Sequence, residues 1–324
     1  MVYKLDLKDR KILYELDINS RQSFNSIAHK VGLSKTALIN RISNLQKEGI
    51  IKKFHTVIDT GKLGYIPFRL LINLQNASPE KENEILSYLK EKPIITWLVS
   101  IQGEYDIGAL ILVKKIEEVN SFWEELLNTY GNYIEKRLLT LMAAIHYYSR
   151  AYFLDKEKNY FEILTLTFPN ELPLDEKDKE ILKILAQDSR ALIVNIASKV
   201  RLTPKTIIEK IKKLEKKKII VGYKTVFDLE KIGYSYFKVN FLLNNTLLEK
   251  KRDLKLFIKN HPNIIYEDEV LGGDDIEIEI QVENIQKLRE VLNKIKEKYA
   301  GIIKDYKILE YYKEHKYLFL PVKI

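Results

Sequence analysis

The sequence predicts an α+β protein that contains two copies of one unit, each a winged helix-turn-helix followed by a small domain of strands and helices. Three observations support this fold class. An internal repeat runs through almost the whole chain, the first third of each copy has apolar residues at helical spacing, and the later part alternates as strands do between two helical segments.

The repeat has a constant offset of 169 positions and needs no gap. Leu5 matches Leu174 and Ser20 matches Ser189, and the offset extends to His146 and His315. The two copies are therefore predicted to share a fold and to pack as a pseudo-symmetric pair. The predicted boundaries are 1–61 and 174–230 for the helix-turn-helix units, 62–155 and 231–324 for the later domains, and 156–173 for the linker. The apolar run 160–166 predicts a short docked strand within that linker.

Composition limits the classes of protein to consider. The chain has 324 residues, of which 46% are hydrophobic and 31% charged, which is typical of a folded protein. It has no cysteine, its start lacks an apolar signal core, and its longest apolar run is far below the roughly 20 residues of a membrane helix. We expect a cytoplasmic protein with no metal site and no cofactor. The net charge of +9 fits a polyanionic partner, although many lysine-rich proteins bind no nucleic acid.

The first third of each copy predicts three helices. Residues 7–17 and 23–30 have helical spacing, and Gly32 then allows a tight turn into Ser34, which can cap a third helix. Thr203 is the corresponding cap in the second copy, with Pro204 at the first helical position. Segments 50–58 and 219–227 follow and are predicted to form a two-stranded wing.

The outward face of the third helix is the predicted DNA-binding surface, because short polar side chains and Arg or Asn near a helix start suit base edges in the major groove. The predicted residues are Ser34, Lys35, Thr36, Asn40, Arg41 and Asn44 in copy one, and Thr203, Lys205, Thr206, Lys210, Lys212 and Lys213 in copy two. Copy two is richer in lysine and suits phosphates more than bases. The alternative for the lysines at 216–218 is that they only complement the helix dipole and keep the surface soluble. Ile39 and Ile208 are predicted to contact thymine methyls or to pack under the wing.

The later domain reads as strand 68–75, helix 80–90, hairpin 94–101 with 106–113, helix 117–130, and strands to about 153. In copy two one face of a strand is polar and acidic, with Glu277, Glu279 and Gln281, whereas copy one has Gly108, Leu110 and Leu112 at the matching positions. We infer that this face packs on the sheet of the other copy. Arg69 or Lys238 would then pair with Glu277 or Glu279.

These motifs resemble the Lrp/AsnC, or feast/famine, transcription regulators. The resemblance lies in Leu-Asp-x-x-Asp-(Lys/Arg) at 5–10 and 174–179, Ser-Arg at 20–21 and 189–190, Ile-Ala-x-x-Val-x-Leu-(Ser/Thr) at 27–34 and 196–203, and Ile-x-x-Leu at 42–45 and 211–214. It implies a sequence-specific regulator bound to double-stranded DNA, a later domain of βαββαβ (ferredoxin-like) form, and a small effector such as an amino acid. One chain would supply the dimer that relatives make from two chains, as an intramolecular pseudo-dimer, with further homo-oligomers left open.

The same resemblance implies effector binding at two turns of the later domains. The residues concerned are Gly103, Tyr105, Asp106, Gly272, Asp274 and Asp275. The alternative is purely structural, because any glycine-rich hairpin turn has this composition. A metal site at Asp274 and Asp275 is weaker still, since no further ligand has recognisable spacing.

An enzyme on the same duplicated fold is the alternative function, since proteins that resemble fused pairs of these domains include siroheme decarboxylases. Those enzymes place a His- and Tyr-rich segment on the second strand of the later domain. The matching segments here, 94–99 and 264–268, contain no histidine. His146 and His315 lie on a late strand near tyrosines and leave a weak tetrapyrrole option, but satisfied or exposed strand histidines are the simpler interpretation. We expect no catalytic activity.

Overall fold

Each copy begins with three short helices whose starts are fixed by capping side chains. The computed structural model describes residues 2–154, 161–244, 248–318 and 320. The Asp6, Ser23 and Ser34 side chains accept backbone N–H groups at the starts of the first three helices, and Thr203 does so for the last helix of copy two. The helices predicted from spacing are confirmed: α1 (Leu7–Ile18), α2 (Phe24–Val31), α3 (Lys35–Lys47), α6 (Glu176–Gln187), α7 (Ile193–Val200) and α8 (Pro204–Lys216).

The predicted wing strands exist, but they do not form a separate wing within each copy. Strands β1 (Ile51–Ile58) and β7 (Ile220–Phe227) pair antiparallel with each other, across the two copies. Most of β1 is buried, because this ribbon lies between the helices and the strands of the later domains. The first helix-turn-helix core accordingly includes Phe227 and Tyr234 of copy two, and the second includes Ile58 of copy one.

Hydrogen bonds from each ribbon strand to the first helix of the other copy's unit, α6 or α1, repeat the offset seen in the sequence. The Thr56 hydroxyl donates to the carbonyl of Leu185, and the Thr225 hydroxyl donates to the carbonyl of Leu16, each over 2.8 Å. At the centre the hydroxyls of Ser20 and Ser189 lie 2.7 Å apart. These matched contacts confirm the predicted pseudo-symmetric pair.

The later domains supply eight strands whose pairings close into a ring. The order is β2, β4, β3, β11, β8, β10, β9 and β5, and β5 pairs with β2 as well as with β9. We call this closed sheet the central barrel. Its strands are β2 (Ile66–Leu74), β3 (Ile95–Gln102), β4 (Ile107–Val113), β5 (Ile134–Tyr148), β8 (Ser235–Leu243), β9 (Ile264–Leu271), β10 (Ile276–Val282) and β11 (Ile303–Tyr317).

Four helices cover the outside of the barrel, two for each copy. Helices α4 (Pro79–Glu91) and α5 (Ile116–Tyr130) pack on the outer apolar face of the copy-one strands. Helices α9 (Leu248–Asn260) and α10 (Ile285–Tyr299) do the same for copy two. The other face of each half therefore points into the barrel, towards the other copy.

The segment between the copies is docked, as the sequence predicts. Strand β6 (Glu162–Thr165) pairs with β5; Tyr160, also assigned to the predicted strand, lies outside the described residues. The Thr167 hydroxyl donates to Asp59 over 2.6 Å. A Cβ atom on Gly61 would lie 1.9 Å from the Thr167 carbonyl oxygen, so this approach requires glycine. Among the described residues, no helix combines the length and apolar character that crossing a bilayer demands.

Candidate functional site

Helix α3 presents a polar surface on the side away from its core. Leu38, Ile42 and Leu45 are buried, as the spacing predicts. The predicted DNA-binding residues Lys35, Thr36, Asn40 and Asn44 are exposed, and the Ser34 hydroxyl accepts the Ala37 N–H over 3.1 Å. A helix start with free N–H groups, a positive dipole end and short polar side chains can approach a phosphate and the base edges beside it.

Helix α8 presents a more basic surface. The predicted residues Lys205, Lys212 and Lys213 are exposed. Thr206 is half-buried, and its hydroxyl lies 2.8 Å from that of the capping Thr203. Three exposed ammonium groups on one helix suit phosphate contacts, which carry no directional preference for a base.

Arg41 and its counterpart Lys210 occupy a different position from the one the sequence suggests. The Arg41 guanidinium is 2.7 Å from both Asp6 and Asp9 at the start of α1. Lys210 contacts Asp175 at 2.6 Å and Asp178 at 2.9 Å, and this hydrogen bond lowers the pKa of the Asp175 carboxyl. The same position thus ties α3 and α8, which we call the reading helices, to the first helix of their units in both copies. Base contact by either side chain stays a prediction, and it requires these ion pairs to open.

Ile39 and Ile208 remain exposed on the two reading helices, at 36% and 42% of their surface. The predicted alternative, packing beneath a wing, does not occur, because the strands that follow pair across the copies instead. Contact with thymine methyl groups is the remaining interpretation of these two residues.

The two turns predicted to bind an effector differ in accessibility. The carboxylates of Asp106 and Asp275 accept the backbone N–H groups of Leu74 (2.6 Å) and Leu243 (2.8 Å), which fixes the hairpins to a neighbouring strand. Gly103 packs against β11: a Cβ atom there would lie 3.0 Å from the Ile308 carbonyl oxygen. Tyr105 is buried, whereas Gly272 is exposed and Asp274 half-exposed. Effector binding at these turns stays a prediction.

The histidines considered for a tetrapyrrole site lie on two different strands, β5 and β11. His146 Nδ1 is 2.7 Å from Glu162 on β6, and His315 Nε2 is 2.8 Å from the Ser100 hydroxyl. One ring nitrogen of each histidine is thus bonded to a protein side chain, whereas His146 Nε2 is buried without a hydrogen-bond partner among the described residues and lies 3.5 Å from Glu269.

The inward faces of the barrel meet through a buried cluster of charges. Both terminal nitrogens of Arg69 donate hydrogen bonds to Glu277, one of them with a length of 2.7 Å. Lys238 contacts Asp268, and it lies 3.1 Å from Glu277 and 3.7 Å from Glu279. The predicted pairing of Arg69 and Lys238 with the acidic face of copy two is confirmed. Asp268 was not predicted as a member.

The two glutamates of this cluster differ in their ionisation. Although burial raises the pKa of Glu277, Lys238 and Arg69 outweigh that effect and lower it to about 2. Burial, together with the neighbouring Asp268 carboxylate, raises the pKa of Glu279 to about 7. Tyr236 donates its hydroxyl proton to Glu279. The cluster thus contains one carboxylate that is not fully compensated.

Beside this cluster lies a cavity of about 120 Å³, which we call the central cavity. Its wall is largely apolar and includes Leu110, Leu112 and Met142, and its polar part includes Arg69, Asp268 and Glu279. Five tyrosines also line it: Tyr147, Tyr236, Tyr266, Tyr311 and Tyr317. Sequence reasoning missed this cavity, although the inward-facing tyrosines beside the acidic strand were a usable signal.

The raised pKa of Glu279 predicts a pH-dependent effect of Glu279→Gln. A carboxyl whose pKa is higher in the folded state than in the unfolded state lowers stability progressively as the pH rises from about 4.5 to 7. We expect the variant to gain roughly 1–3 kcal/mol in free energy of unfolding at pH 8 and almost nothing at pH 4.5. Urea unfolding at both pH values measures this. Glu135→Gln, at an exposed position of β5, is the control, and a destabilised Glu279→Gln at pH 8 would contradict the assignment.

Comparison with known proteins points to the helix-turn-helix units. A family model described as winged helix-turn-helix DNA-binding matches residues 5–52, and one described as AsnC-type helix-turn-helix domain matches residues 174–215. The HTH-type transcriptional regulator Ptr1 of Methanocaldococcus jannaschii is 37% identical over 121 residues, which make up 37% of this chain and 80% of that regulator. The transcriptional regulator AzlB of Bacillus subtilis is 33% identical over 119 residues, 36% of this chain and 76% of AzlB.

A solved structure matches the whole duplicated arrangement. The siroheme decarboxylase NirDL superimposes with a TM-score of 0.63, covering 98% of this chain and 95% of that one, at 14% sequence identity. At that identity the likeness shows the fold alone: two tandem units in one polypeptide, arranged as a pair.

Proposed function

This chain belongs to the Lrp/AsnC family of DNA-binding transcription regulators, and we propose that α3 and α8 contact one DNA duplex in a single complex. The observation that carries the proposal is the pair of exposed, capped helices held by matched contacts about one pseudo-dyad. Because the copies are covalently joined and share strands, the separation of the two reading helices is set by the fold. Because the proposed partner is chromosomal DNA, the proposal includes a cytoplasmic location.

The two helices contribute differently to recognition under this proposal. Thr36, Asn40 and Asn44 on α3 offer directional donors and acceptors to base edges, whereas Lys212 and Lys213 on α8 offer point charges to phosphates. A symmetric dimer presents the same helix to both half-sites. This chain presents two unlike helices, so its preferred site has two unlike halves.

A paired-variant experiment tests this division. Thr36→Ala with Asn40→Ala should weaken binding to a selected site about 10- to 100-fold and leave binding to random DNA almost unchanged. Lys212→Ala with Lys213→Ala should weaken binding to both, and should reduce the slope of log K against log salt by about 2. Affinities are measured by fluorescence anisotropy across salt concentrations, with the site obtained by selection from a random library.

Lys287→Ala with Lys294→Ala is the matched control, since both lysines lie exposed on α10, outside the barrel. This variant should bind like the parent chain. Equal losses on selected and random DNA for both helix variants would remove the division of labour, and a selected site with two identical halves would remove the asymmetry.

We further propose that the chain is not an enzyme. NirDL has also been solved in complex with an iron-uroporphyrin III analogue, which is a tetrapyrrole. In this chain one ring nitrogen of each candidate histidine is bonded, His146 Nδ1 to Glu162 and His315 Nε2 to Ser100. The central cavity of about 120 Å³ is slightly smaller than a cavity of ~150 Å³ that holds one benzene ring, whereas a tetrapyrrole contains four pyrrole rings. A larger pocket of about 810 Å³ lies between α9 and α10, and neither candidate histidine lines it.

Family membership also supports a small effector such as an amino acid, and we place it at the turn of copy two. Gly272 and Asp274 are accessible there, and Asp275 is already bonded to the Leu243 amide. In copy one the corresponding turn is packed against β11. The proposal therefore assigns one effector site to each chain. Effector binding there would act by changing how chains associate into larger assemblies.

A further inference from the structure

We propose that the central cavity binds a small organic cation, with an ammonium group at the acidic end and an apolar body of about one ring. This ligand site is separate from the DNA-binding surface and from the turns considered for an effector. The proposal does not depend on DNA binding.

The size and wall of the cavity define the body of the ligand. Its volume of about 120 Å³ is comparable to the ~150 Å³ of an apolar cavity that takes up benzene. Leu110, Leu112, Met142 and Ile145 contribute to an apolar wall, and Arg69, Asp268 and Glu279 are the charged residues in the lining. An apolar wall with a few convergent polar groups is the usual construction of a small-molecule site.

The charges at the polar end favour a cation. The buried cluster contains two cations, Arg69 and Lys238, and three carboxylates, Asp268, Glu277 and Glu279. Both terminal nitrogens of Arg69 donate hydrogen bonds to Glu277, and the carboxylates nearest to Lys238 are those of Asp268 and Glu277. Glu279 is left with a tyrosine hydroxyl and with Lys238 at 3.7 Å. A buried carboxylate without full compensation is unfavourable, and a bound ammonium group would neutralise it.

The aromatic lining adds a second attraction for a cation. Tyr147 and Tyr266 meet edge to face with ring centroids 4.7 Å apart, and Tyr236 and Tyr311 do so at 5.3 Å. The faces of such rings carry negative potential and attract ammonium groups within about 6 Å. Among the described residues the Tyr311 hydroxyl is buried and has no hydrogen-bond partner, so it can accept from an ammonium group that also donates to Glu279.

An anionic ligand is the opposite possibility, because Arg69 Nε is also buried without a hydrogen-bond partner among the described residues. A carboxylate placed there would add a fourth negative charge to a cluster that already has one in excess. We therefore commit to the cation and make the anion an outcome of the test.

Thermal unfolding of the full chain at pH 7.5 tests the proposal with three probes of similar shape. They are 2-phenylethylamine, the neutral 2-phenylethanol and the anionic 3-phenylpropionate, with butylamine as a smaller cation. We expect the amines to raise the midpoint, with 2-phenylethylamine giving a shift of about 2 °C at ten times its Kd, and the other two probes to give none. No shift with either amine, an equal shift with the alcohol, or a larger shift with the acid overturns the proposal.

Two variants locate the site. Glu279→Gln should abolish the amine-induced shift, and Tyr311→Phe, which removes a hydroxyl that bonds to no described residue, should weaken amine binding several-fold without unfolding the chain. Tyr306→Phe is the control on the same strand, because its ring packs against Phe241 away from the cavity. Full amine shifts in both Glu279→Gln and Tyr311→Phe would place any amine binding elsewhere and overturn the assignment. The experiment contains no DNA, so its failure leaves the DNA-binding proposal untouched.

Discussion

Replacing Asp17 by alanine is expected to lower the free energy of unfolding by about 3–5 kcal/mol, because it leaves two buried cations without their anion. Asp17 has no exposed surface and accepts the backbone N–H of Arg150 over 2.9 Å. It also contacts the Arg150 guanidinium at 2.5 Å and the Lys224 ammonium at 3.0 Å. Urea unfolding at pH 7 measures the loss.

Lys224→Met is the informative companion variant, because it removes the excess cation and leaves a one-to-one pair. Burial lowers the pKa of Lys224 to about 8. Below that pH the buried ammonium group is charged, and it lowers the free energy of unfolding relative to the neutral amine. The unfolded state binds more protons between about pH 8 and 10.5, and the contribution of Lys224 to stability rises with pH over that window. We expect Lys224→Met to change stability by no more than about 1 kcal/mol at pH 7. A loss of less than 1 kcal/mol in Asp17→Ala would contradict the assigned role of Asp17.

This network also distinguishes the two copies. At the offset of the repeat, Asp17 corresponds to Ala186, and Lys224 corresponds to His55. Helix α1 of copy one is therefore tied by buried charges to Arg150, which follows β5, and to Lys224 on β7, whereas the same position in copy two contains an alanine side chain. The two halves differ in how their reading units are held as well as in the side chains that those units expose.

Local features of the fold were predictable from the sequence. The starts of α3 and α8 depend on a capping side chain that accepts an N–H group three residues later in the sequence. The buried stripe of Leu38, Ile42 and Leu45 depends on spacing within one helix. The pairing of Arg69 with Glu277 was also predictable, although the two residues are 208 positions apart. Alternation showed that two faces were buried, and opposite charges on those faces indicated that they meet.

Other features depend on which strand or helix packs against a given element, and the sequence pattern does not specify that partner. Alternation along β1 shows burial but does not show that its partner is β7 of the other copy. A helical wheel places Arg41 outward, yet Asp6 and Asp9 of another helix occupy its guanidinium. The central cavity arises where strands of both copies curve around it, so its volume depends on the closure of the barrel.

Replacing Arg69 by methionine should lower the free energy of unfolding by about 3–5 kcal/mol at pH 7, since three buried carboxylates would then share Lys238 alone. The loss should shrink as the pH falls towards 4, because a carboxyl without its guanidinium partner has a higher pKa and takes up a proton more readily. Arg289→Met, at an exposed position of α10, is the control and should change stability by no more than about 0.5 kcal/mol.

The double variant Arg69→Met with Glu277→Gln separates the ion pair from simple loss of packing. If the charge left unpaired on Glu277 causes the damage, the double variant should regain most of the stability that Arg69→Met loses, and the cycle should give a coupling of about 2 kcal/mol or more. If lost packing around the guanidinium causes it, the two losses should add. Additive losses, or a loss in Arg69→Met that is independent of pH, would show that the two halves of the barrel are held together by their apolar surfaces, with the charges contributing only to how the halves are aligned.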